Sequence, residues 1–304
     1  MIRKAVITAA GKGTRMYPGT NAVQKELFPL VDIDGIAKPT IQIIAEQAWA
    51  AGIEELCIVV QPGEAEQFRR HFKGLTEPEK NSFKNKSWGL AQSDLLEKLQ
   101  KAITYVEQKT QDGFGHAVYC AHEWASREPF MLLLGDHVYH SDSDINCFEQ
   151  AISVYHEKQK TVYGVHRTPI DKIHLYGTVA GIRDGANPKL YALDRMVEKP
   201  DETYARAHLV TAGLPENFFL TFFGIYLFTP GIFDVLKDHI DRDVRSRGEI
   251  QLTTAQHELM RAEGAYGLEI EGEKLDMGTP LGYVQTQLAL ARKGVFKEQY
   301  QGEL

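Results

Sequence analysis

Cysteine is scarce: 304 residues contain three, Cys57, Cys120 and Cys147, odd in number and far apart. No pair has the spacing of a metal knuckle or a redox motif, so a disulfide framework and a cysteine zinc site are excluded and the thiols are expected to be reduced and mostly buried. Positive charge is short as well. The 34 Lys and Arg stand against 41 Asp and Glu, a net charge of −7, which gives no basic footprint for a nucleic-acid backbone. Any polyanion bound here must then be small and held locally. Long apolar runs are missing: nothing approaches the ~20 residues of a membrane helix, and MIRKAVITAA lacks the apolar centre of a signal peptide. The expectation is a cytoplasmic protein with no nucleic-acid partner and no membrane partner.

What the chain does contain is an ordinary share of hydrophobic (43%) and charged (25%) residues, enough to bury a core and to exclude disorder as the main state. Short apolar runs alternate with helical stretches: AVITA (5–9), TIQIIAEQAWAAG (40–52), LCIVV (56–60) and the polar EAEQFRRHF (64–72). That is the rhythm of a parallel sheet with crossover helices. FMLLLGD (130–136) supplies another strand buried on both faces, and HAVYCAHEWA (116–125) its crossover helix. Residues 73–94, polar and without a clear period, predict a mobile surface excursion before a helix at SDLLEKLQKAI. TVYGVHR, TVAGIR, YALDRMVEK and NFFLTFFGIYLFT lack a helix between each pair. An antiparallel extension should therefore follow the α/β core, closed by helices at GEIQLTTAQHELMRAEG and LGYVQTQLALARKG.

The first strand runs into a glycine-rich turn, AVITAAGKGTRMYPGTNAVQKELFPLVD (5–32). Glycines there let backbone N–H groups approach an anion, most often phosphate. A dinucleotide fingerprint needs G-x-G-x-x-G, but the third position is Met16; a Walker loop needs a glycine at that same place. Both readings fail. What remains is G-x-G-T-R with a lysine ten residues on. Arg15 and Lys25 could hold a polyphosphate as a fork of donors and a mobile point charge, or could be two solvated cations on a surface turn.

The longer stretch GKGTRMYPGTNAVQKELFPLVD resembles the opening of the sugar-nucleotidyltransferase family, nearest its bacterial uridylyltransferases. The resemblance continues through VEQKTQDGFGHAVYCAH, LLGDHVY, MVEKP, FGIYLFTPGIFDVL, GEIQLTTA and LDMGTPLGYVQ. It implies a Rossmann-like nucleotidyltransferase fold: a mixed, mostly parallel central sheet flanked by helices, with a smaller antiparallel extension. One domain would span 1–304, its nucleotide half in 1–140, its sugar-phosphate half in 141–280 and a C-terminal helix in 281–304. The implied reaction is an in-line displacement joining a nucleoside triphosphate and a sugar-1-phosphate with release of pyrophosphate, most simply UTP and glucose-1-phosphate. A pyrophosphorylase for dTTP, CTP or ATP, or a catalytically silent sugar-nucleotide sensor, are the alternatives.

By the same resemblance, Arg15, Lys25 and Lys199 are catalytic, and Ala10, Gly11, Gly13, Gln108 and Gly113 bind the nucleotide, Gln108 and Gly113 at the base edge. Tyr176, Gly177, Glu198, Lys199 and Gly224 take the sugar phosphate. Asp136 and Asp276 converge on one Mg²⁺, a hard cation that keeps water and phosphate oxygens in its other positions. Homodimers or homotetramers are implied, with Val284, Leu288 and Leu290 of the terminal helix as a contact. His116, Cys120 and His122 lack a four-ligand spacing and are expected to be structural. His137 is expected to touch substrate, and the aromatics of NFFLTFFGIYLF to be core. Two departures from the family pattern stand out: IDGIA separates Asp32 from Lys38, and the strand before Asp136 ends in LGDH rather than LPD.

Overall fold

The computed structural model describes residues 1–185 and 187–300. Its strands are β1 (Lys4–Ala9), β2 (Pro29–Val31), β3 (Ala37–Pro39), β4 (Glu55–Val60), β5 (Ile103–Glu107), β6 (Phe130–Leu134), β7 (His137–Ser141), β8 (Thr161–Pro169), β9 (Gly177–Arg183), β10 (Leu190–Glu198), β11 (Phe218–Phe228), β12 (Ala265–Glu269) and β13 (Gly272–Asp276). The central sheet has the order β5-β4-β1-β6-β11-β8-β12-β10-β9, and β2–β3 and β7–β13 are separate antiparallel ribbons. From the pairings, β11 and β10 run against the other strands of the central sheet, so it is mixed and mostly of one direction.

Both faces of the sheet are covered, which is why its first strands read as unbroken apolar runs. Side chains alternate across it: Ala5, Ile7, Ile58, Val60, Met131 and Leu133 join one core, and Val6, Cys57, Val59 and Leu132 the other. The first core is closed by the helices Thr40–Ala50 and Cys147–Lys158, the second by Phe114–Tyr119, Gly231–Asp241 and Leu252–Glu263. The carboxyl ends of β1, β4, β5 and β6 open at one edge, where ligands bind in sheets of this kind.

Three expected stretches differ. Residues 73–94 are no loose excursion: the helix Glu77–Ser82 starts at a Thr76/Glu79 capping box, and the next helix already begins at Ser87 and runs to Ala102. Lys80 ties the two together through Glu97 at 3.2 Å. The helix expected over 116–125 is two, Phe114–Tyr119 and His122–Ala125, because the His122 ring at 2.9 Å occupies the Tyr119 carbonyl that a continuing helix would use. The last helix covers Pro280–Lys293 and stops at Gly294; the end of the expected 281–304 span, from 301 on, lies outside the described residues. Leu290 on that helix is buried with Leu30, Ile43 and Val138, so it is no surface contact, whereas Val284 is exposed.

The inserted IDGIA forms the β2–β3 turn. Its cost is carried by Lys38, nearly buried, whose ammonium meets Asp32 at 2.9 Å, Asp34 at 2.7 Å and Glu46 at 2.8 Å. Val295 donates to the Ile33 carbonyl at 2.9 Å, so the insertion also anchors the chain after the last helix.

Candidate active site

Where β1 ends, Ala10 and Gly11 begin the wall of a cavity of about 500 Å³ that also takes in Lys25, Glu26, Gln108, Gly113 and Asp136. Gln111 donates to the Ala10 carbonyl at 3.0 Å and Gln61 to that of Gly11 at 3.2 Å, fixing the planes of the turn's peptides. Gln108 is buried at the end of β5; its amide donates to the Gly113 carbonyl at 3.0 Å and lies 3.2 Å from the His116 ring. His116 is thus a partner of Gln108, not a metal ligand. Gly13 does not line this wall. It has φ 61°, a left-handed turn that glycine adopts without cost, and a Cβ there would meet Thr20 at 2.7 Å and Lys25 at 3.6 Å. Its part is to let the turn fold against the lysine.

The charged centre follows from one pairing. β7 and β13 align His137 with Asp276, and Met277 donates its N–H to the Asp136 carbonyl at 3.0 Å, so two aspartates 140 positions apart in sequence meet. One oxygen atom or ring nitrogen from each of Asp136, His137 and Asp276 lies within 4.8 Å of the others; among the described residues this is the single such group of His, Cys, Asp or Glu. Asp136 Oδ1 accepts from His137 Nδ1 at 2.8 Å, and its Oδ2 from Lys25 Nζ at 2.5 Å. Burial opposes ionisation of Asp136, but the His137 hydrogen bond and the Lys25 charge outweigh it and hold the carboxyl far below the usual range. Gly278 marks the gap between these groups: a Cβ there would lie 2.7 Å from Asp136 Oδ2, 3.0 Å from Asp276 Oδ1 and 3.2 Å from an Arg15 guanidinium nitrogen. Two carboxylate oxygens converging on a space kept clear by glycine suit a hard divalent cation.

Next to it, sharing Phe114 and Leu134 as a common wall, is a cavity of about 270 Å³ holding Arg15, Tyr176, Gly177, Glu198, Lys199, Gly224 and Asp276. Every anticipated site residue except Gly13 therefore lines one of two adjoining cavities. Glu198 is oriented by Thr253, which donates at 2.8 Å, and its carboxylate is 3.6 Å from the Lys199 ammonium. Lys199 has φ 50°, a left-handed conformation that costs a lysine about 1–2 kcal/mol. Gly224, at φ 95°, sits in the register shift of β11 between Phe222 and Tyr226, where the strand bends at the cavity wall.

Among the polar residues of these walls that escaped the sequence reading are Glu26, Gln111, Thr253 and Lys274. Lys274 donates to the Phe222 carbonyl at 3.1 Å and lies 4.4 Å from the Tyr176 ring centre, and burial pulls its ammonium down to about 8. A strand's period of two puts Lys274 and Asp276 on one face, so this one was open to inference. The other three carry no such signal.

Of the chain, residues 4–293 match the family model described as Nucleotidyl transferase. The UTP–glucose-1-phosphate uridylyltransferase 2 of Staphylococcus saprophyticus is 37% identical over 297 residues, covering 96% of this chain and 93% of that protein. The UTP–glucose-1-phosphate uridylyltransferase of Bacillus subtilis is 36% identical over 296 residues, with 95% and 91% covered. A solved UDP-glucose pyrophosphorylase complexed with UDP-glucose superposes with a TM-score of 0.76 at 26% identity, over 96% of this chain and all (100%) of that one. The UTP-bound enzyme from Acinetobacter baumannii gives 0.78 at 26%, over 99% and 98%. With two anion-sized cavities meeting at a pair of carboxylates and a family match over nearly the whole length, the chain belongs to the nucleotidyl transferase family.

Proposed function

We propose that this protein transfers the uridylyl group of UTP to glucose-1-phosphate, giving UDP-glucose and pyrophosphate. The observation that carries the reading is the meeting of two cavities, one holding Gln108 and Lys25, the other Glu198 and Lys199, at Arg15, Asp136 and Asp276. A phosphate oxygen of glucose-1-phosphate attacks the α-phosphorus of UTP in line, the bond from that phosphorus to the bridging oxygen breaks, and pyrophosphate leaves with the electron pair. The attacking phosphate monoester has its second pKa near ~6, so it arrives already deprotonated and no general base is needed. The protein's task is to bring two anions together and offset their charge.

Gln108, held by Gly113 and His116, pairs its amide with the uracil edge, and Ala10 and Gly11 let the turn approach the nucleotide. Arg15 and Lys25 neutralise the triphosphate and the departing pyrophosphate. Lys199 holds the sugar phosphate, Glu198 accepts from sugar hydroxyls with Thr253 steadying it, and Tyr176, Gly177 and Gly224 leave room for the ring. Asp136 and Asp276 would hold Mg²⁺, which when bound supplies positive charge to phosphate oxygens of both substrates. His137, which also lines the second cavity, steers Asp136 through its Nδ1 hydrogen bond.

On this reading residues 1–140 are mainly the nucleotide half and 141–280 mainly the sugar half, crossed by Arg15, which serves the second cavity, and Glu249, which lines the first. The cytoplasm suits three unpaired cysteines, and no described helix is long and apolar enough to cross a membrane. We assign a homodimer or homotetramer, supported by the exposed Leu281 and Val284 on the last helix. The test is product analysis: purified protein with Mg²⁺, UTP and glucose-1-phosphate should yield UDP-glucose. Binding of UDP-glucose without turnover would make it a sensor instead.

A further inference from the structure

Lys25 stands on the same aspartate that the proposed function gives to a divalent cation. Its ammonium is 2.5 Å from Asp136 Oδ2, the oxygen that borders the gap at Gly278 opposite Asp276, while the other Asp136 oxygen is taken by His137. A divalent cation coordinated by Asp136 and Asp276 would share that oxygen with a second positive charge. The neighbouring residue offers a way out. Glu26 is 1% exposed at the base of the same cavity, with Oε1 at 3.0 Å from Lys25 Nζ and Oε2 buried without any hydrogen-bond partner among the described residues. A buried carboxylate oxygen left unpaired is costly, so this is an acceptor waiting for a donor.

We propose that Lys25 fills the cation's place on Asp136 in the free protein, and that Glu26 is the positioning residue that receives the ammonium when the cation arrives. The inference rests on the reading of Asp136 and Asp276 as cation ligands. Glu26 keeps the displaced lysine paired and inside the cavity, within reach of the triphosphate, so that its charge moves from a ligand to the substrate without a bare intermediate. No covalent bond changes and no proton is transferred.

Mn²⁺ serves as the probe, titrated into the substrate-free protein by calorimetry. Lys25→Gln, whose amide still donates to either carboxylate, should bind Mn²⁺ about tenfold more tightly than the wild type or better, the scale of coupling between adjacent charges. Lys25→Arg, which keeps the charge and can fork onto both carboxylates, should bind it more weakly, and this variant carries the test if the glutamine variant does not fold. Glu26→Gln should weaken Mn²⁺ binding several-fold, ~3 or more, in the presence of Lys25. In the Lys25→Gln background the effect of Glu26→Gln should shrink markedly, because a residue acting through Lys25 has nothing left to receive. Unchanged or weaker binding by Lys25→Gln, binding by Lys25→Arg as tight as wild type, or strict additivity of the two glutamine substitutions would overturn the proposal. Asp136→Asn separates the two layers. It should abolish Mn²⁺ binding, and retained binding would bring down the cation reading itself.

Discussion

Single residues at the centre of the site are constrained by space as much as by charge. Gly278 has room for hydrogen only, because two carboxylates and the Arg15 guanidinium close around it. Gly278→Ala is therefore expected to push these groups apart and lower turnover by about a hundredfold, the loss that a displacement near 1 Å produces, while the melting temperature stays close to wild type. Steady-state rates beside a thermal melt check this; unchanged turnover would mean that the gap is not used. Lys199 gives the complementary case, a residue strained for its position. Lys199→Gly should relieve the left-handed backbone at φ 50° and leave the fold as stable or up to ~1 kcal/mol more stable, yet cost roughly 10²–10³ in turnover. A variant that is destabilised but active would contradict both halves of that statement. At this scale the sequence was most informative where a charge sits in a recognisable motif. Thr253 was hidden because its partner Glu198 is brought to it only by folding, and Glu26, although next to Lys25 in sequence, because nothing in the sequence marks a glutamate at that place as buried.

Elements explain why some of those segments were illegible. β1, β4 and β6 announced themselves as apolar runs, since both faces are buried. The β7–β13 ribbon, which brings the two aspartates together, is built from HVYHS, largely buried, and GEKLD, half-exposed, two five-residue stretches with little apolar pattern whose partners lie far apart in the chain. The helices within 73–94 were missed for a related reason: their order comes from a capping box and a cross-helix ion pair, not from an amphipathic stripe. Burial between helices also sets a pH response. His71, on the helix Ala65–Phe72, bonds Gln42 of the helix Thr40–Ala50 at 2.9 Å, and burial lowers it from 6.5 to about 4. The folded chain keeps this ring neutral while the unfolded chain takes up a proton below about 6.5, so the stability involved is complete above that pH and is lost as pH falls toward 4. At ~1.4 kcal/mol per pH unit the wild type should lose about 2 kcal/mol more than His71→Gln between pH 7 and pH 4.5. Urea unfolding at the two pH values measures it, and parallel losses would remove His71 from the account.

At the scale of the whole molecule, one sheet carries both halves of the site. Its parallel side presents the turn after β1 and the end of β6, and its antiparallel side presents Gly177, Glu198 and Gly224. The order of motifs along the chain made this architecture legible from sequence, since most motifs fall at a strand end or just beyond, whereas FGIY lies inside β11 and GEIQLTTA opens the helix Leu252–Glu263. The central claim is that these surfaces join UTP to a sugar phosphate, and the most direct measurement is pyrophosphate release with Mg²⁺ across UTP, dTTP, CTP and ATP, each paired with glucose-1-phosphate and other sugar-1-phosphates. The account predicts the highest kcat/KM for UTP with glucose-1-phosphate. No release with any pair, or a clear preference for another triphosphate, would contradict it.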